Sequence, residues 1–189
     1  SQHRHFLDKK NKFDLPEIRI VKFLDEYCFK KKLNLYINFY NKKNSFNLIK
    51  EKNFYEKEIK YSKKNFLINN NSLESYQNVL NFDLIITCDS TMGYETLSIK
   101  KKTVFLSIRK GKHLEGSKFG WPGNFKKEGF FWSNTFSKTL FEKKLGKVIN
   151  CKKSLWKKKL AKFGKKIAFQ DYDFSEKVNS IITKNLKKN

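Results

Sequence analysis

The chain has 189 residues, 39% of them hydrophobic and 16% aromatic, and its 42 lysines and arginines against 18 acids give a formal net charge of +24. One folded domain suits that length, and the periodic apolar blocks exclude wholesale disorder despite a mean hydropathy of -0.70. No stretch approaches the roughly 20 uninterrupted apolar residues of a spanning helix, and Ser1–Lys10 lacks the apolar centre of a signal peptide. The sequence therefore reads as soluble and unexported. Its start at Ser1, with the sole methionine at Met92, reads as a fragment of a longer protein.

After a polar lead, Asp14, Pro16 and Glu17 form a helix start, and Leu15, Ile18, Val21, Leu24 and Cys28 follow at spacings of three and four. That predicts an amphipathic helix of about 16 residues. Asn34–Phe39 is a short β-prone run bounded by polar Asn41–Asn44, which predicts a buried strand and a loop. A weaker helix over 46–60 precedes a strand at Asn65–Ile68 and the polar turn Asn69–Ser72, with Ser72 as cap of the next helix. Leu73, Tyr76 and Leu80 give that helix its apolar stripe. Asp83–Cys88 is the clearest strand, and its unbroken apolar run is the pattern of a strand covered on both faces. Residues 91–100 read as helix and Thr103–Ile108 as another buried strand.

Strands alternating with helices over short connections predict an α/β fold, a parallel sheet between helix layers with right-handed crossovers. Residues 109–135 break the pattern with Gly111, Gly116, Gly120, Gly123, Gly129, Pro122 and six aromatics from Phe119 to Trp132, whose expected use is mostly to pack the loop onto the sheet. Three helical segments follow, near 136–148, 154–167 and 174–187, and Trp156, Leu160 and Phe163 read as core. The division is a lead over 1–14, a ligand-binding α/β domain over 15–150, and C-terminal helices of the same domain over 151–189.

Of the 42 cations only Arg4, Arg19 and Arg109 are arginine, the residue best suited to bidentate phosphate and guanine contacts. Lysine, asparagine, phenylalanine and isoleucine are abundant together, as A/T-rich codon usage produces in any protein. A basic face still suits an anionic membrane surface or a nucleotide. Cys28, Cys88 and Cys151 lie about 60 residues apart with no CxxC pair, so neither structural zinc nor a disulfide framework is expected. Small buried thiols are the default.

In a parallel α/β sheet, ligands sit beyond the carboxyl ends of the strands, where helix N-termini present free amides. Asp89-Ser90-Thr91-Met92-Gly93-Tyr94-Glu95 follows the clearest strand. Ser90 and Thr91 offer hydroxyl and amide donors to a phosphate, Gly93 permits close approach, and Glu95 sits one turn on, where a carboxylate can bind ribose hydroxyls. The same residues also suit plain capping by Asp89 or Ser90, tight packing at Gly93, and dipole complementation by Glu95. Neither a Walker loop nor a GxGxxG fingerprint is present.

Leu84–Leu106, with its strand, Ser-Thr-x-Gly-x-Glu turn, helix and short second strand, resembles the C-terminal, donor-binding half of GT-B glycosyltransferases, most closely those of bacterial surface-carbohydrate and capsule synthesis. Leu15–Leu24, Leu33–Ile37, Lys118–Pro122 and Gly129–Ser133 are also similar to that half, so the resemblance spans roughly 15–186, with its one sharp motif at 89–95. It implies a Rossmann-like, cytoplasmic nucleotide-sugar-binding domain, peripheral at the inner membrane face, with no bound cofactor or metal. It further implies a saccharide or lipid-linked acceptor and a separate N-terminal acceptor domain that supplies the catalytic base. Carried over, Ser90, Thr91 and Gly93 meet the donor phosphates and Glu95 the ribose or sugar hydroxyls. The family's arginine after the first strand is replaced by Asn41, Lys42 and Lys43. Arg109 and Lys110, after the strand ending at Ile108, are candidates for further phosphate or base contacts, with a solvated role the expected one for Lys110. His113 is either a rim group or, as a lone loop histidine usually is, simply exposed.

Three functions follow. The first is the donor half of a glycosyltransferase, stabilising the departing nucleotide at a helix N-terminus. The second is a related polyol-phosphate transferase using CDP-linked donors. The third is a basic, non-enzymatic module on nucleic acid or anionic lipid, against which stand the scarcity of arginine and the absence of any nucleic-acid motif.

Overall fold

A computed structural model describes residues 16–39, 43, 45–88, 90–108, 118–120 and 125–164. In chain order these form α1 (Pro16–Lys31), β1 (Tyr36–Asn38), α2 (Phe46–Glu58), β2 (Asn65–Leu67), α3 (Ser72–Leu80), β3 (Ile85–Thr87), α4 (Thr91–Ser98), β4 (Thr103–Leu106), β5 (Trp132–Ser133), α5 (Lys138–Ile149) and α6 (Lys153–Gly164). The expected helix over 174–187, the lead over 1–14 and the whole 109–117 segment lie outside the described residues.

The α/β class and the parallel pairing are present, but the single sheet that the alternation predicts is divided into two ladders. In the first, β1 pairs with β2 in parallel, Ile37 opposite Phe66. In the second, β3 pairs with β4, Ile86 opposite Val104, and β4 pairs with β5, Phe105 opposite Trp132. β5 falls inside the stretch read as a pattern-breaking loop. Two residues carry no periodicity, so the ladder with β4 is what defines it.

β4 is the centre of the core. Val104, Phe105 and Leu106 are wholly buried. Phe105 meets Tyr94 of α4 at a ring-centroid distance of 4.6 Å, and strand alternation turns Val104 and Leu106 to the other face. The surrounding cluster takes Phe23, Leu24 and Tyr27 from α1, Phe141, Leu145 and Val148 from α5, and Trp156 and Leu160 from α6. Phe23 and Phe141 meet edge to face at 5.4 Å. β3 is only half-buried along its length, so the coverage of both faces expected there belongs to β4 instead.

Two further expectations shift by one residue. The cap of α3 is Asn71, whose side chain accepts from the Glu74 N–H at 2.9 Å, while Ser72 is the first helical residue. Glu74 reaches back to the N–H of Asn70, one residue before the cap, at 2.7 Å and ties the turn to the first helical turn. Among the described side chains of this helix, Ser75 and Val79 are buried and Leu80 is 42% exposed, while that of Leu73 lies outside the described ones. Cys28 and Cys151 are buried as expected, whereas Cys88 is half-buried.

Asp25, although 1% exposed, faces inward from α1. Its carboxylate accepts from the backbone N–H groups of Lys60 (2.7 Å), Tyr61 (3.0 Å) and Ser62 (2.7 Å), which fixes the loop after α2 onto α1. Burial pushes its pKa up, and the three backbone donors outweigh that and hold it below the ordinary 3.8.

Both α1 and α4 end in a reverse turn on a lysine with left-handed backbone, Lys32 at φ 54° and Lys100 at φ 65°. Leu33 N–H reaches Cys28 O at 2.9 Å, and Lys101 N–H reaches Thr96 O at 3.0 Å. Glycine suits such positions because a Cβ there costs about 1 kcal/mol. Lys32→Gly should therefore raise stability by about 1 kcal/mol and the melting temperature by about 2–4 °C, read by thermal unfolding. Asp25→Asn should cost about 2 kcal/mol at pH 7, because the amide nitrogen opposes a backbone donor. The depressed native pKa makes Asp25's contribution complete above 3.8 and lost as pH falls below it. The stability gap between wild type and variant should narrow between about pH 5 and pH 3, measured by urea unfolding across that range.

Candidate functional site

The turn from β3 into α4 begins at Thr87, whose Oγ1 accepts the Ser90 N–H at 3.1 Å. That bond tightens the turn and puts Ser90 at the N-cap with extended backbone, φ −69° and ψ 139°. Unlike Ser45 and Ser137, which cap α2 and α5 with their side chains, Ser90 makes no side-chain cap bond. Thr91 follows as the first helical residue and is exposed. Ser90's hydroxyl and the first amides of α4 therefore stand together at the carboxyl end of β3, where the helix carries its partial positive charge.

Gly93 is buried on the sheet side of α4. Its N–H donates to Ser90 O at 2.9 Å, and a Cβ built there would lie 2.4 Å from Thr87 Cγ2 and 3.1 Å from the Phe105 ring. Gly93 thus lets α4 approach β3 and β4 and seats the turn from below. Thr96 extends the same seam, its hydroxyl donating to Gly93 O at 2.9 Å and lying 3.0 Å from that of Thr103.

Glu95 is exposed one turn into α4 and accepts a hydrogen bond from the Tyr76 hydroxyl of α3. That bond, then burial and the glutamate's charge, raise the Tyr76 pKa above 10.0. Asn38, the last residue of β1, donates to Ser75 Oγ at 3.0 Å and approaches Met92 Sδ at 3.7 Å. Its Oδ1 accepts from Asn69 Nδ2 at 2.7 Å, and Asn69 Oδ1 accepts from Asn78 at 3.0 Å. This amide network ties the carboxyl ends of β1 and β2 to α3 and to the first turn of α4, so the two ladders meet at their polar ends.

Ser90, Thr91, Gly93 and Glu95 are thus brought together on one turn and helix, while Arg109, Lys110, His113 and Asp89 lie outside the described residues. Of the lysines after β1, Lys43 is described. It is exposed and lines a concavity of about 490 Å³ with Ser45, Leu48, Ile68, Asn70 and Glu74. Neither Ser90 nor any residue of α4 lines that hollow. Asn38, Ser75 and Tyr76 are the neighbours that sequence reasoning missed, since each comes from a different element than the motif it touches.

The aromatics after β4 serve packing. Phe119, Phe131 and Trp132 are buried, Phe119 stacks on Trp132 at 4.7 Å, and Tyr94 Oη accepts the Gly120 N–H at 2.9 Å. Trp121 lies outside the described residues. Burial and then the charge of Asp25 push the Cys28 thiol up to about 11, so it stays protonated at neutral pH. Among the described residues no three His, Cys, Asp or Glu side chains gather at metal-binding distance, and no helix is long and apolar enough to cross a membrane.

Two parallel βαβ units, polar at their carboxyl ends and linked there through Asn38, make an α/β protein with small parallel sheets. Over residues 9–189 the chain matches the model of a family described as "putative O-antigen biosynthesis protein", and it belongs to that family. The description agrees with the expected role in surface-carbohydrate biosynthesis. No curated protein and no solved structure matches the chain.

The Gly93 contact generates a direct test. Gly93→Ala should destabilise by about 1–2 kcal/mol, because the added methyl meets a stiff threonine whose hydroxyl is held by Ser90. Adding Thr87→Ser removes Cγ2, keeps the Oγ, and should restore most of the loss. Chemical denaturation of the two single variants and the double variant reads the coupling.

Proposed function

We propose that this chain is the donor-binding portion of a glycosyltransferase of surface-polysaccharide synthesis, built like the C-terminal half of a GT-B enzyme. The observation that carries the reading is the start of α4. Ser90's hydroxyl is not spent on capping, and it stands with the α4 amides at the carboxyl end of β3. A nucleotide phosphate is the ligand that such a terminus suits. The family's description supports the carbohydrate context. The reading takes the two ladders as parts of one Rossmann-like sheet, with the Asn38–Met92 contact where β1 lies beside β3.

In this reading Ser90 and Thr91 hold the phosphates, Gly93 sets the turn against the sheet, and Glu95 takes ribose or sugar hydroxyls while Tyr76 fixes its rotamer. Arg109 adds a phosphate or base contact. The acceptor, a saccharide or lipid-linked saccharide, belongs to an N-terminal acceptor domain. During transfer the α4 terminus stabilises the negative charge that develops on the departing nucleotide.

Thermal-shift titration with CMP, CDP, UDP, GDP and a short DNA duplex tests this, at about 50 and 200 mM salt. One nucleotide should raise the melting temperature by about 5 °C or more near saturation and keep most of that shift at higher salt. A preference for CDP would favour the polyol-phosphate variant of the reading. Glu95→Ala should weaken the preferred nucleotide about tenfold, the loss of one charged hydrogen bond, without unfolding the domain. Stabilisation by DNA alone, and only at low salt, would overturn the proposal. If Glu95→Ala lowers only the melting temperature, the role of Glu95 is wrong.

A further inference from the structure

The positive charge is concentrated in one part of the chain. Residues 138–164, which hold α5 and α6, carry ten lysines against the single acid Glu142, whereas residues 16–108 carry sixteen cations and ten acids. Codon usage alone raises lysine everywhere and gives no reason for acids to vanish from one helical pair. α6 contains no acid at all.

α6 sorts its residues by face. Trp156 and Leu160 are buried in the core, with the indole N–H of Trp156 donating to Lys100 O at 2.9 Å. Lys153, Lys157, Lys158 and Lys162 are exposed. Leu155, 44% exposed, borders them beside Lys158 and Lys162. Lys159 differs, lying over the Phe130 ring at 5.5 Å. The outer face of α6 is therefore a row of four exposed lysines with Leu155 at its edge, next to Lys158 and Lys162, held in place by the buried side of the same helix.

We propose that this face docks on an anionic lipid bilayer. Flexible lysines attract a diffuse plane of negative headgroups without the fork geometry that arginine brings to nucleic acid. An exposed leucine beside them suits the headgroup boundary and has no counterpart in a phosphate backbone. Each lysine near such a surface contributes about fivefold in affinity. The inference stands independently of the nucleotide reading.

The test is co-sedimentation of the full chain with vesicles of phosphatidylcholine alone and with about one-third phosphatidylglycerol, at about 50 to 200 mM salt. Three proteins are compared: wild type; a variant with Lys153, Lys157, Lys158 and Lys162 changed to Gln; and a control with exposed Lys30, Lys31, Lys63 and Lys64 changed to Gln, which loses the same charge. Wild type and control should bind the anionic vesicles, and the α6 variant should bind at least tenfold more weakly with an unchanged melting temperature. Leu155→Ser should weaken vesicle binding a few-fold and leave binding to a DNA duplex unaltered. Equal loss in the control, or no loss in the α6 variant, overturns the proposal. Tighter binding to the duplex than to the vesicles at the same salt also overturns it and assigns the patch to nucleic acid.

Discussion

Strand β4 must be covered on both faces, and most of the described structure follows from that. Val104, Phe105 and Leu106 leave nothing exposed, so one side has to be closed by α4 and the aromatic cluster and the other by further helices. A wholly buried side chain of this size contributes about 1.5–3 kcal/mol, so three in sequence repay dense packing from several directions. Gly93 exists in that setting: α4 comes close enough to cover Phe105 only because no Cβ intervenes above Thr87. The edge-to-face contact of Phe23 and Phe141 likewise joins α1 to α5 within the same cluster.

The same constraint sorts polar chemistry to the strand ends. With the middle of β4 apolar on both faces, hydroxyls and amides are accommodated where the strands stop. Ser107, just past β4, donates to the Cys88 carbonyl just past β3 and holds the two ends level. Asn38 and Asn69 do the same for β1 and β2. A buried amide network has to be fully satisfied to be tolerated, and here the partners come from α3 and α4, so satisfying it also orients the first turn of α4. The polar end is thus rigid for structural reasons, and that rigidity is what a binding turn requires. At the β5 edge of the second ladder, Glu128 and Lys144 form a 3.2 Å ion pair. Glu128 also accepts from the hydroxyls of Ser133 and Thr135, tying α5 to β5. Burial lowers the Lys144 pKa, partly offset by its carboxylate partner.

How much of this was legible in the sequence depends on the range of the interaction. Periodicity over three or four residues placed α1 and α3, other helical segments were placed near α2, α4, α5 and α6, and short apolar runs placed four of the five strands close to their observed limits. β5 carried no such signal, and only its register with Phe105 and Leu106 makes it a strand. The Asn71–Ser72 turn offered two residues able to cap, and Glu74, three residues beyond Asn71, was the cue that selects the first. The Ser90–Glu95 motif was legible because it is contiguous. Its neighbours were not: Asn38, Ser75 and Tyr76 lie on β1 and α3, and no local pattern marks an asparagine at a strand end as the partner of a methionine 54 positions away.

Charge requires the opposite caution, since a large total says less than its distribution. A net +24 spread evenly would be a solvated surface, and lysines such as Lys22 and Lys138 are accounted for by single carboxylates, Glu58 at 3.1 Å and Glu26 at 2.9 Å. Such exposed pairs contribute little, about 0–1 kcal/mol each. They do cancel the field locally. Over α6 no acid of its own does so, and its buried side fixes the lysines facing outward. Cations that are neither cancelled nor free to disperse produce a sustained field at one place on the surface. That is the physical difference between a basic composition and a basic face, and it appears only when burial is laid over the sequence.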